Sequence, residues 1–112
     1  MSPNGTKLVL MAPLVRGKKG RHEEVFASIK RQGFVRARID GTLCGLDDLP
    51  ALEKNKAHSI EAVVDRLIIA ENIRARLTDS VELALKQGDG LVIVQIQEAA
   101  RSVEYVISDK NA

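Results

Sequence analysis

The chain has 112 residues, 45% apolar and only 3% aromatic, so it can build one modest core from Val, Ile, Leu and Ala but has few rings for stacking on bases. Its net charge is +2, divided unevenly: residues 1–40 carry 9 Lys and Arg against 3 Asp and Glu, and residues 41–112 carry 8 against 12. That gives the chain a basic side, short of the footprint of a dedicated nucleic-acid binder, while a single cysteine, Cys44, excludes an intramolecular disulfide and a multi-cysteine zinc site within the chain.

Residues 1–6 are polar, lack the apolar stretch of a signal peptide and read as a disordered or foreign tail. From Lys7 to Val15 an apolar run reads as a strand, with Pro13 confining its end to an edge or a bend because proline cannot donate to the ladder. The "RGKKG" stretch, Arg16 to Gly20, reads as a basic turn that launches a helix. That helix spans Arg21 to Gln32, with Val25, Phe26 and Ile29 on one face, acids in the first turn, bases in the last, and Gly33 placed to end it. "FVRARIDG" then alternates: Val35, Ala37 and Ile39 point one way, Arg36, Arg38 and Asp40 the other. Asp40-Gly41 is a hairpin signal, with "TLCGL" as the return strand.

Asp47 to Ala57 is a polar connection, and His58 to Ile69 a β-branched-rich strand. Ile73, Leu77, Val81 and Leu85 recur every four residues as a helical stripe that ends at Gly88 and Gly90. "LVIVQI" reads as a central strand and "VEYVI" as its partner across a short turn. The order implies an α+β two-layer sandwich: a mixed, mostly antiparallel sheet with two helices on one face. The apolar runs are too short to span a bilayer, and the expected location is cytoplasmic.

No catalytic constellation assembles. "RGKKG" lacks the spacing and hydroxyl of a Walker loop and the third glycine of a dinucleotide fingerprint. Its GxxG spacing is that of a nucleic-acid clamp joining two helices, but here a strand precedes it. His22 and His58 have no ligand at metal-binding spacing, Cys44 has no adjacent base, and Ser59 and Ser80 lack a nucleophile elbow. What remains is arginine on strands: Arg36, Arg38 and Arg66, close in sequence to Asp40 and Asp65. A planar guanidinium suits carboxylates and phosphates alike. Alternation aligns Arg66 with Ile60, Ala62, Val64 and Ile68, so either a bulge re-aims it or it lies at a sheet edge facing a partner.

The blocks "APLVRGKKGRH", "GFVRARIDG", "HSIEAVVDRL" and "RARLTDSVELAL", in that order, resemble the UvrB-interacting domain of UvrA, the damage-recognising ATPase subunit of the bacterial excinuclease. The likeness runs from about Lys7 to about Asp109, making residues 7–109 the domain and 110–112 a tail leading toward a parent protein. It implies a non-catalytic module that docks the second domain of UvrB during nucleotide excision repair. ATP-binding loops and a zinc-binding cysteine pair would belong to the parent protein, leaving no cofactor here, and DNA would be met only through that parent. The isolated domain would be a monomer. Arg36 and Arg66 carry over as partner-binding residues, extended to Arg38, Asp40 and Asp65. Arg16, Lys18 and Lys19 stand as candidate anion or DNA contacts. The alternative reading is a nucleic-acid-binding module using the Gly17–Gly20 segment with the strand arginines. The loop "GLDDLPALEKNKAHS" departs from the family, with Leu49, Ala51 and Ala57 where prolines and lysines are usual.

Overall fold

Strand β1 outruns its apolar stretch, extending from Lys7 to Lys19 in a computed structural model that describes residues 5–109. The remaining elements are α1 (Glu23–Arg31), β2 (Arg36–Ile39), β3 (Thr42–Gly45), β4 (Ala57–Ile68), α2 (Arg74–Gln87), β5 (Leu91–Glu98) and β6 (Arg101–Ser108). The strands follow the order β3-β2-β4-β1-β5-β6 in one open sheet, an α+β arrangement. The pairs β1–β5, β2–β3, β2–β4 and β5–β6 are antiparallel. Of the expected tail 1–6, Gly5 and Thr6 are described: the Gly5 N–H donates to the Ile69 carbonyl at 3.0 Å and the Ile69 N–H to Thr6 at 2.8 Å. Residues 1–4 and 110–112 lie outside the described residues.

The chain divides into two units, one of residues 13–63 and one of residues 1–12 with 64–112, so β1 and β4 each contribute to both. In the first unit, Val15, Phe26, Ile29, Ala37, Ile39, Leu46, Ile60 and Ala62 form the core beneath α1. The helix starts at Glu23, two residues later than its periodicity suggests, because Gly20 and His22 take positive φ of 135° and 54° and turn the chain. Its end is a Schellman motif: Phe34 N–H donates to Ile29, Gly33 N–H to Lys30, and Gly33 sits at φ 92°. Phe34 then packs on the same core as Ile29, leaving Val35 outside β2 and 66% exposed. Val35 therefore does not share the buried face of Ala37 and Ile39. The 46–56 connection is anchored by buried Leu46 and half-buried Leu49 and Leu52, which a reading by polarity alone overlooks.

Arg16–Lys19 belong to β1 and are not a turn. Gly17 tolerates φ 62° inside the strand, and its N–H donates to Ser59 Oγ at 3.0 Å. Between β2 and β3, Ile39 faces Thr42 across Asp40 (φ 49°) and Gly41 (φ 87°), a two-residue turn with both central residues left-handed.

In the second unit, Leu8, Leu10 and Leu67 form a core on which Leu77 and Val81 of α2 rest. Ile73 caps α2, and Ala84 is fully buried. At the helix end Asp89 takes φ 53° while Gly90 N–H reaches Leu85 O at 2.7 Å. Strand β6 ends the sheet with Tyr105, Val106 and Ile107 exposed by 53%, 59% and 49%.

Ile29 is 2% exposed, and it both fills the α1 core and accepts the Schellman bond. Replacing it with alanine should cost about 2–5 kcal/mol, read as a lower urea midpoint with an unchanged slope.

Candidate partner-docking surface

The pleat of β2 sorts its side chains before any partner is considered. Ala37 and Ile39 are buried under α1, so Arg36 and Arg38 project from the opposite side. Arg38 lies directly across from Glu61 of β4, and its Nε donates to Glu61 Oε1 at 2.6 Å. The two side chains are only 13% and 8% exposed, so the guanidinium is engaged within the domain. Arg36 has a different neighbour: it faces Gly45 of β3, which has no side chain to cover it. Arg36 is exposed and, among the described residues, forms no ion pair. Exposed Val35 and Leu43 add apolar surface nearby in the chain.

Asp40 is committed to the hairpin. Its Oδ1 accepts the Ser59 N–H at 2.8 Å, its Oδ2 accepts His58 Nδ1–H at 2.7 Å, and its own N–H donates to Ser59 O at 2.9 Å. The hydrogen bond from His58, with that from Ser59, holds the Asp40 carboxyl below the usual carboxylate range. The His58 ring is buried, and its Nε2 lies 3.2 Å from the Glu53 carbonyl. Both ring nitrogens thus face acceptors, which the doubly protonated imidazolium satisfies. The hydrogen bond to Asp40 is the main reason His58 titrates above its ordinary value. His22 stands edge-on to this ring, centroids 6.4 Å apart.

In the second unit Asp65 and Leu67 of β4 point toward α2, so Arg66 and Ile68, in the opposite phase, are exposed on the side away from that helix. Arg66 needs no core position: its N–H donates to Asp65 Oδ1 at 2.8 Å, and its guanidinium forms no ion pair among the described residues. The register of β4 with β2 covers Ile60–Ala62 and does not reach Arg66. Asp65 receives Arg76 Nη2 at 2.7 Å and Nε at 3.1 Å, together with the Ser80 hydroxyl. Partial burial pushes the Asp65 carboxyl up, but Arg76, Ser80 and the Arg66 N–H outweigh it and hold the group below its ordinary value.

Of the five partner residues expected from sequence, the structure therefore leaves Arg36 and Arg66 outward and unpaired, and ties Arg38, Asp40 and Asp65 into internal contacts. Glu61, His58 and Arg76 are the residues missed. Glu61 alone left a trace, as an acid alternating with Ile60 and Ala62.

Comparison with known proteins decides the family. The family model described as the UvrA interaction domain matches residues 1–98. The chain belongs to the UvrA interaction domain family. It is 55% identical over 95 residues to the UvrABC system protein A of Clostridium perfringens, covering 84% of this chain and 10% of that protein. It is 50% identical over 94 residues to the one from Bacillus subtilis (84% and 10%), and 46% over 110 residues to the one from Pseudomonas putida (98% and 12%). The chain thus spans about a tenth of the length of these relatives.

In this UvrA interaction domain a cleft of about 440 Å³ opens beside α1, lined by Arg21, Glu23, Phe26 and residues 49–52 of the connection. Its carboxylate, Glu23, and its guanidinium, Arg21, are both exposed. Among the described residues no group of three His, Cys, Asp or Glu side chains gathers as a metal site, and no helix is long and apolar enough to cross a membrane. Burial, with Asp48 nearby, raises the Cys44 thiol above its ordinary value, which disfavours the reactive thiolate.

The Asp40–His58 pair fixes a pH dependence. The raised His58 value stabilises the fold fully below its unfolded value near 6.5, and this is lost as pH rises through the higher folded value. The lowered Asp40 value stabilises above 3.8 and is lost as pH falls through the folded value. The difference in melting temperature between the domain and its His58→Ala variant should accordingly be largest between these limits and shrink on the alkaline side. A difference that is flat from pH 5 to 9 in a thermal melting series would refute the ionic pair.

Proposed function

We propose that this domain docks UvrB, on the second domain of that protein, through arginine–carboxylate pairs led by Arg36 and Arg66. The observation that carries the reading is the contrast between Arg36 and Arg38 on one four-residue strand. Arg38 is neutralised by Glu61, whereas Arg36 faces a glycine and keeps a free guanidinium. Arg66 repeats the arrangement beside Asp65, whose charge is taken by Arg76. Membership of the UvrA interaction domain family supports an interaction role, and the resemblance of the four sequence blocks to the UvrB-interacting domain of UvrA supports UvrB as the partner.

The mechanism is charge-complementary docking. Strand backbones fix the stems of the two arginines, so less conformational freedom is lost when their forks meet carboxylates. Such charges accelerate encounter and fix register, and a pair that becomes desolvated slows dissociation. Arg38, Asp40 and Asp65 act through the scaffold: Arg38 with Glu61 holds the strand beside Arg36, Asp40 fixes the hairpin, and Asp65 binds α2 to the strand that presents Arg66.

Calorimetry against UvrB tests this. Arg36→Ala and Arg66→Ala should each weaken binding by about 2–5 kcal/mol where the pair is buried, with little change in melting temperature. Arg38→Ala should instead lower the melting temperature, because it leaves Glu61 buried and unpaired. Unchanged affinity in both single variants overturns the reading.

A further inference from the structure

We propose that the basic end of β1 is a sequence-independent contact for the phosphate backbone of duplex DNA, made by residues other than the arginines that dock UvrB. Arg16, Lys18, Lys19 and Arg21 fall within six residues, all are exposed, and among the described residues none forms an ion pair. Three other cations of the same unit have partners: Lys30 holds Asp47, Lys56 holds Glu53 and Arg38 holds Glu61. The nearest acids in the chain, Glu23 and Glu24, lie in the first turn of α1, where they complement the helix dipole.

The segment is held in place. Gly17 N–H donates to Ser59 Oγ at 3.0 Å, and His22 Nε2 lies 2.8 Å from the Lys18 carbonyl, so the backbone is tethered at Gly17 and Lys18. At Gly17 an added Cβ would meet nothing within 4 Å, so the backbone is open to close approach.

The chemistry selects a duplex backbone over other anions. A single strand is held by stacking its bases on rings, but in the unit that carries this segment Phe26 is buried and Phe34 is packed on the α1 core, and the exposed Tyr105 belongs to the other unit. An acidic protein surface is usually anchored by an apolar side chain at its centre, and none of the exposed large apolar residues lies between Arg16 and Arg21. What remains is cation-to-phosphate contact, which positions without reading sequence.

The test is fluorescence anisotropy of a labelled duplex titrated with this chain at several salt concentrations. Neutralising three phosphates predicts an affinity that falls about 40-fold between roughly 50 and 200 mM salt. The triple variant Arg16→Ala, Lys18→Ala, Lys19→Ala should lose that dependence and still bind UvrB, whereas Arg36→Ala should keep the DNA affinity and lose UvrB. Thermal melting establishes that each variant is folded. Absence of duplex binding at the lowest salt, or a triple variant that binds duplex as the unmutated chain does, overturns the proposal. So does polyglutamate binding as tightly as the duplex at equal salt, which would assign the segment to acidic protein.

Discussion

Because side chains alternate along a strand, a slip of one residue in β2 would carry Arg36 and Arg38 under α1 and expel Ala37 and Ile39 into water. Everything the first unit offers to a partner rests on that register. It is pinned at the Asp40–Gly41 turn, whose left-handed backbone suits an aspartate followed by a glycine. The Asp40 carboxylate adds bonds to Ser59 and His58 on β4, so the turn also fixes the strand on the other side of β2. One short side chain thus sets the phase of three strands.

The distribution of charge follows a division of labour. Where a carboxylate is partly or wholly shielded, the structure supplies a cation: Glu61 meets Arg38, and Asp65 meets Arg76. Left alone, either would be strongly destabilising. Cations on open surface need no such partner, because water solvates them, and so Arg36, Arg66 and the end of β1 keep their forks and ammonium groups available. A basic surface here is the remainder after internal neutralisation, which net charge alone does not reveal.

Much of this was legible in the residues. Strict alternation in "FVRARIDG" gave the face of Arg36 and Arg38, the Asp-Gly pair gave the turn, and Gly33 marked the end of α1. Val35 broke the pattern because Phe34, drawn to the core by the helix cap, took the inward position first. "RGKKG" resembled a turn because glycine is permissive, but the outcome depended on Ser59, 42 residues away, accepting the Gly17 N–H. The phase of Arg66 was equally invisible, since it is set by Asp65 reaching Arg76 and Ser80 on the following helix. Local chemistry was readable. Pairings across long sequence separations were not, because no local pattern encodes which carboxylate meets which base.

Strand β6 carries a consequence of its own. It is the last strand of the sheet and turns Tyr105, Val106 and Ile107 outward in succession. A terminal strand dressed in oily side chains is a template for zipping onto another copy of itself. Concentrated solutions of the isolated domain are therefore prone to form intermolecular sheets along this margin, and a lysine placed at Val106 would blunt it.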